Sequence, residues 1–405
     1  MLSYVLRRFL LVFPTLIGMT ALIFFVMATS PGGAAADLVE QEGQMRPEER
    51  RRMIEYLNQR YGLNQPLLVQ YFRWLNKVSP VGFRTWRPGD AEVVESRKKE
   101  AQVKAAKEAE LKASGAESAA IEKALGKIEV SPAPGDFRFN KPAVKVPDLG
   151  ESFRIRRSVG ALVRESLPIT VLLNVMSIPV VYGVAIIIGI QAARHRGKVV
   201  DVASGTFLLA LWSLPVILAG VLLQGFLTSR EYVQLFPTTG LHDLNAEAMT
   251  FLPRWGPQGW ERGWLLDSMW HLVLPVVCLS YGGFAFLAKL MRGSVLETIS
   301  SDFVRTARAK GVGERVVLYV HVFRNSLLPL ITMAARILPG LLAGSVIVET
   351  IFGIPGMGSL LVKGVQTRDR ELVLSISMIS GVLGLLSYLL ADIGYAIADP
   401  RVSYE

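Results

Sequence analysis

The sequence predicts an all-α, polytopic membrane protein with six transmembrane helices, both termini in the cytoplasm, and a large helical extracytoplasmic insertion after the first helix. Three observations carry this: long runs free of charge, an uneven placement of Lys and Arg between loops, and an abrupt change of composition after the first run. Of 405 residues, 51% are hydrophobic and the mean hydropathy is +0.37, more apolar material than one soluble core consumes. A helix needs about 20 apolar residues to cross the roughly 30 Å hydrocarbon layer. Soluble helices instead keep a polar stripe.

Six segments meet that requirement. Residues 9–28 carry no charge and follow Arg7 and Arg8. The run is too long for a signal-peptide core and no small-x-small site closes it, so a retained first helix is expected. Residues 167–193 and 202–229 are charge-free. Residues 268–288 hold His271 as their titratable group, 325–348 hold Arg336, and 372–398 hold Asp392. Pro14, Pro179, Pro215, Pro275 and Pro339 fall inside these runs, which membrane helices tolerate where neighbours re-satisfy the freed carbonyls.

Orientation follows from the loops. Arg194, Arg196 and Lys198 crowd into 194–201, and Lys289, Arg292, Arg305, Arg308, Lys310, Arg315 and Arg324 into 289–324. Loop 230–267 holds only Arg230, Arg254 and Arg262. The basic excess assigns the first two loops, and with them both termini, to the cytoplasm. The net charge of +10 is thus partly topological and calls for no nucleic acid.

The chain divides into an anchor helix (1–30), an extracytoplasmic region (31–158), a five-helix core (159–398) and a short cytoplasmic tail (399–405). Within 31–158, residues 47–74 show an amphipathic pattern broken near Gly62 and Pro66. From Asp90 to about Ile128 the composition is Ala, Glu and Lys, which favours helix, with a break expected at Gly115. Pro132, Pro134, Pro142 and Pro147 follow as an extended linker. The insertion at 83–150 reads either as a solvated helix or as a docking surface for an external partner.

Motifs for chemistry are missing. No GxxxxGK[ST] occurs, so ATP hydrolysis by a P-loop mechanism is not expected. The histidines at 195, 242, 271 and 321 are scattered, with no HExxH. No metal, cofactor or catalytic residue is assigned. One cysteine, Cys278, excludes an internal disulfide. Among charges inside spans, Arg336 is about 16 Å deep along its helix. Two readings stay open for it: a residue of a translocation path or subunit interface, or a structural arginine satisfied by carbonyls. Glu349 and Asp392 sit near span ends, where water or headgroups are expected to reach them.

Residues 301–329, SDFVRTARAKGVGERVVLYVHVFRNSLLP, predict two short helices joined at Gly311-Val312-Gly313, forming a compact knob made basic by Arg305, Arg308, Lys310 and Arg315. Lipid anchoring and partner docking fit the residues equally. VRTARAKG followed by HVFRNSLLP resembles the EAA loop of ATP-binding-cassette importer permeases of the dipeptide/oligopeptide transport family. Arg305, Thr306 and Ala307 fall at the three opening positions of EAA-x3-G and Gly311 at its glycine; the second alanine alone is retained literally. LRRFLLVFPTLIGMTALIFF, RYGLNQPLLVQYFRWL, VETIFGIPGMGSLL and DIGYAIADPRV resemble further family segments in the family's order. The HVFRN stretch and the YVQLFPTTGL loop lean toward the subgroup handling microcin C-like peptides.

The resemblance implies a permease subunit of an ATP-driven importer that pairs with a second permease chain. Two cytoplasmic ATPase subunits would engage the coupling loop 291–324, centred on Arg305, Thr306, Ala307, Gly311, Gly313 and Arg315. An extracytoplasmic substrate-binding protein would deliver the solute, and the bacterial inner membrane would be its location. The Ala/Glu/Lys insert and Arg336 depart from the family pattern. An ion-driven secondary transporter and a membrane scaffold are the rival classes; the lack of a repeat of spans and of a chain of buried acids speaks against the first.

Overall fold

The computed structural model describes residues 2–29, 65–86, 89–113, 125, 137–152, 154–256, 259–331, 333 and 346–398. The chain splits into two compact units, 35–149 and 1–34 with 150–405.

In the smaller unit, α2 (Leu67–Val78) follows Pro66, whose fixed φ suits a helix entry. It buries Gln70, Tyr71, Trp74 and Val78, a helical 3/4 spacing that defines one covered face. β1 (Val81–Thr85) then pairs antiparallel with β2 (Phe137–Val144), Val81 opposite Val144 and Thr85 opposite Phe137, with a bulge after Phe83. The Asn76 amide serves as a further strand partner, accepting from the Phe83 N–H (2.8 Å) and donating to its carbonyl (3.0 Å). Between the strands, α3 (Ala91–Ala113) buries only Val93 and Ser96. Its surface carries i,i+4 pairs such as Lys99–Glu95 (2.7 Å) and Lys112–Glu108 (2.6 Å).

Residues 91–113 of the Ala/Glu/Lys stretch are therefore helical and largely exposed. Part of the segment read as a proline-rich linker is instead strand β2, which tolerates Pro142 because a two-stranded sheet has an edge on each side. The insert thus leaves and returns through one strand pair. The Gly115 break and residues 47–64 lie outside the described residues.

The larger unit contains, among the described residues, four helices long and apolar enough to span: α1 (Leu2–Thr29), α4 (Val159–Arg194), α7 (Gly263–Ile299) and α10 (Arg370–Ala398). Ser158 caps α4, accepting from the Ala161 N–H at 3.3 Å. α4 and α7 form the centre. A Cβ on Gly189 would stand 2.6 Å from the Met291 Cβ and 2.9 Å from the Ala288 carbonyl, so only glycine lets these backbones approach. Ala185, Ala285 and Ala288 belong to the same packed layer, the small-residue solution that helices use in lipid. On α10, Gly381 similarly makes room for Met19 of α1.

The third run departs from expectation. A single span over 202–229 was predicted, but the chain forms α5 (Val199–Ser213) and α6 (Val216–Thr228), bent by 99° at Leu214-Pro215. Proline cannot donate to the ladder and forces the preceding residue out of the helical region; Leu214 has φ −78° and ψ 120°. The halves are about 22 and 20 Å long, each shorter than the roughly 30 Å apolar layer.

A hairpin of β3 (Arg254–Gly256) and β4 (Gly259–Glu261) precedes α7, with Trp255 opposite Trp260. After α7 come α8 (Asp302–Ala309) and a mixed helix: an α turn Glu314–Val316, a π segment Val317–Val322 and an α turn Phe323–Ser326. Most of the fifth run, 325–348, with Arg336, lies outside the described residues, as do the side chain of Asp392 and the tail. The chain is helical again over 346–351 and then forms α9 (Met357–Gln366) before α10.

Candidate functional site

The knob is built from α8 and the mixed helix. α8 ends in a Schellman motif: the Val312 N–H donates to the Ala307 carbonyl (3.2 Å) and the Gly311 N–H to the Arg308 carbonyl (2.9 Å). The motif needs a left-handed residue, which Gly311 supplies at φ +78°. Gly313 is the N-cap of the next helix. Across the break, the Arg308 guanidinium forks onto Glu314, Nε to Oε2 at 3.1 Å and NH2 to Oε1 at 2.5 Å. That pairing holds the Glu314 carboxyl below, and the Arg308 guanidinium above, their usual pKa values.

Apolar side chains seat the knob on the helix bundle. Val304, Val317 and Val322 are fully buried, in one cluster with Ile190 and Ala193 at the end of α4 and Met291 and Val295 near the end of α7. Ala307 and Val312 pack against the same cluster. The Ser326 hydroxyl donates to the Ser294 carbonyl (3.3 Å), and the Tyr182 hydroxyl to that of Leu330 (3.3 Å). These contacts fix the knob at several points to two long helices.

Of the residues singled out in sequence, Arg305 and Thr306 are exposed on α8, and Ala307 is half-buried beneath them. Gly311, Gly313 and Arg315 are exposed around the break. The structure gathers these six on one knob, while Arg336 lies outside the described residues. Space around Gly311 is open: a Cβ there meets nothing within 4 Å. The expected basic character is reduced, because Arg308 is neutralised by Glu314 and Arg305 lies 3.4 Å from Asp302. Sequence reading missed the Arg308–Glu314 fork, whose signal was opposite charge on the two sides of a glycine break.

Glu349 requires a correction. It was expected within reach of water or headgroups, but it is fully buried. Its carboxylate accepts from the Thr170 hydroxyl (2.7 Å) and the Ser359 N–H (2.9 Å), while Thr170 Oγ1 accepts from the Met357 N–H (2.8 Å). Glu349 and Thr170 thus cap the N-terminus of α9, where orphan amides and the helix dipole favour a carboxylate. The histidines are also less scattered than expected. His271 Nδ1 lies 3.5 Å from Asp267 Oδ2, and His242 Nδ1 lies 2.8 Å from the adjacent Ser268 hydroxyl. Among the described residues no group of His, Cys, Asp and Glu is arranged to hold a metal.

Long apolar helices around a tight α4–α7 pair, with an exposed glycine-capped knob where the pair ends, define a polytopic membrane protein. Residues 185–404 match the family model described as binding-protein-dependent transport system inner membrane component. The chain belongs to that family and is a multi-pass protein of the bacterial inner membrane. It is 33% identical over 259 residues to the inner membrane ABC transporter permease protein YejB of Escherichia coli O157:H7, covering 64% of this chain and 68% of that one. It is 29% identical over 405 residues to the oligopeptide transport system permease protein AppB of Bacillus subtilis strain 168, covering 100% of both. Against the oligopeptide transport system permease protein OppB of Salmonella typhimurium strain LT2 the identity is 27% over 408 residues, again covering 100% of both.

Proposed function

We propose that this chain is one of two permease subunits of an ATP-driven importer for peptides or related small solutes. It forms half of the translocation pathway and takes its drive from separate ATPase subunits. The observation that carries this reading is the knob: an open glycine tip and an exposed Arg305-Thr306 edge, mounted by buried valines on the ends of the two central helices. An ATPase subunit that closes on nucleotide would pull on α8 and shift α4 and α7 together.

The complete arrangement has six spans, with α5 and α6 together as the third and 325–348 as the fifth. Both termini and the knob face the cytoplasm, and the region after α1 faces outward. A second permease, two ATPase subunits and an external binding protein complete the machine. The names of the relatives support peptides as the solute class.

Substitution at Gly311 tests the coupling role. Gly311→Trp is expected to insert normally into the membrane but to lose ATPase co-purification and ATP-dependent uptake. Uptake and co-purification equal to wild type would sink the assignment. A scaffold would act through the external insert instead. Joining Thr85 to Phe137 by an Asn-Gly turn removes 86–136 while keeping the strand pair. The permease reading expects the shortened chain still to bind its ATPase.

A further inference from the structure

The hairpin ahead of α7 belongs neither to the knob nor to the spans. In an antiparallel pair, residues directly opposite share a face and successive pairs alternate faces. Trp255 and Trp260 are opposite each other, so both indoles project from one face. The next pair, Arg254 and Glu261, projects from the other face and closes an ion pair, Nε to Oε2 at 2.8 Å. Two three-residue strands thus make a two-faced element, aromatic on one side and charged but internally neutralised on the other. Trp255 is 82% and Trp260 51% exposed, so neither belongs to the chain's own core.

Position decides what the aromatic face meets. Between Asp267 and Lys289, residues 268–288 of α7 hold no Asp, Glu, Lys or Arg. They extend for about 31 Å, matching the roughly 30 Å hydrocarbon layer. Gly263, where α7 starts, is then about 7 Å outside that layer, in the headgroup zone of about 5–7 Å on each side. The base of the hairpin is fixed at this depth. The Trp264 and Leu265 amides donate to the Thr250 and Phe251 carbonyls (2.8 and 3.0 Å). Gly263 turns at φ +70°, with the Leu252 carbonyl carbon 2.5 Å from where a Cβ would stand. The rest of the loop is tied to the same turns of α7: Asp267 accepts from the Asp243 N–H (2.8 Å), and Trp270 Nε1 donates to the Leu235 carbonyl (3.1 Å). Aromatic rings continue along it, Phe251 stacked on Trp264 and Tyr232 4.9 Å from Phe226 near the end of α6. Such rings gather at a membrane boundary because the body is apolar while the N–H or O–H keeps a polar partner.

We infer that the β3–β4 hairpin is an interfacial anchor: Trp255 and Trp260 insert at the boundary between phospholipid headgroups and acyl chains, and the Arg254–Glu261 face looks to water. In the orientation proposed above this is the outer leaflet. The occupant is lipid rather than a protein partner because the aromatic band runs on into exposed apolar side chains of the spans, Phe226 on α6 and Met269 on α7. With Arg254 answered by Glu261, the hold rests on the indoles, and it sets the depth at which α7 enters the membrane. Solute and ATPase play no part, so the anchor stands or falls separately from the permease reading.

The test uses the full chain, purified with the subunits that accompany it, in nanodiscs whose two faces are open to buffer. Emission of the two indoles is taken as the difference between the native chain and Trp255→Phe/Trp260→Phe. It is read in phosphatidylcholine brominated high on its acyl chains, in the same lipid without bromine, and with iodide in the buffer. The expected result is about twofold quenching by the bromolipid and little by iodide. Trp255→Glu puts a carboxylate on the aromatic face and should draw the hairpin into water. Emission of Trp260, read against Trp255→Glu/Trp260→Phe, should then be quenched less by bromolipid and more by iodide. Arg254→Gln, on the other face, should leave both quenching ratios as they are. Iodide quenching that exceeds bromolipid quenching in the native chain overturns the anchor. Protection from both quenchers overturns it too, since the face would then be covered by protein. Loss of ATP-dependent uptake would overturn the permease reading and leave these ratios unmoved.

Discussion

The knob and the far turn around Gly353 are the same local device put to opposite ends. Each closes a helix with a left-handed glycine, Gly311 at φ +78° and Gly353 at φ +61°. Each makes the paired Schellman hydrogen bonds: Val312 and Gly311 donate to Ala307 and Arg308, Ile354 and Gly353 to Glu349 and Thr350. Each has a carboxylate nearby. In the knob, Glu314 is exposed and answered by Arg308; in the far turn, Glu349 is sealed and answered by a hydroxyl and an amide. The glycines differ most. A Cβ at Gly311 meets nothing, whereas one at Gly356 would lie 2.5 Å from both Glu349 carboxylate oxygens, and one at Gly358 would collide with the Val346 backbone. The far turn is filled by its own chain; the tip of the knob is open.

This contrast can be broken by experiment. The largest effect is expected at Glu349→Ala, which opens a cavity and leaves the Thr170 hydroxyl and Ser359 amide without their acceptor. A loss of about 3 kcal/mol should appear in thermal melts of the detergent-purified protein, and a wild-type melt would refute the sealed-turn description. Gly358→Leu comes next, at about 1–3 kcal/mol from overpacking, with ATPase binding reduced only as far as folding is. Gly311→Val should cost about 1–2 kcal/mol from the left-handed backbone alone. Gly311→Asn, which tolerates that conformation, separates conformation from access. Retained ATPase binding assigns the glycine to backbone shape, and lost binding with an intact melt assigns it to close approach of the partner.

The smallest effect is expected at Arg308→Ala, at most about 1 kcal/mol, because the pair is at the surface. Its pH dependence has a definite sign. Arg308 lowers the Glu314 carboxyl below its ordinary value, so the contribution is present at neutral pH and disappears as pH falls through the folded-state pKa. A wild-type-minus-variant difference that grew on acidification would exclude the fork as its source.

The sequence made some of this legible and hid the rest for identifiable reasons. Charge-free runs located α1, α4, α7 and α10 because hydropathy measures the transfer free energy that decides insertion. It does not measure direction, so 202–229 read as one span although Pro215 turns it by 99°. The knob's two helices were readable from the glycine break; its Arg308–Glu314 fork required knowing that the helices fold back. Glu349 was misjudged because its position near a span end says nothing about the Thr170 hydroxyl, 179 residues earlier, that closes over it. Strand β2 was read as linker because its partner, β1, lies 52 residues upstream of its first residue by the Thr85–Phe137 pairing. For Glu349 and β2 the missing information was a long-range contact; for the Arg308–Glu314 fork and the Pro215 bend it was the local path of the backbone.

The π segment Val317–Val322 fixes the angular phase between the knob and the helical turns that follow it over 323–331. Buried residues recur there at Leu318, Val322, Ser326 and Leu330, a stride of four. In a pure α-helix a stride of four drifts about 40° around the axis at each step, and the looser π winding turns the stripe back so that it stays on one side. The segment therefore works as a vernier. Removing one residue from it would relax the helix to α and turn the knob by about 100° relative to the helical turn that follows Val322, presenting Arg305 and Thr306 in a different direction.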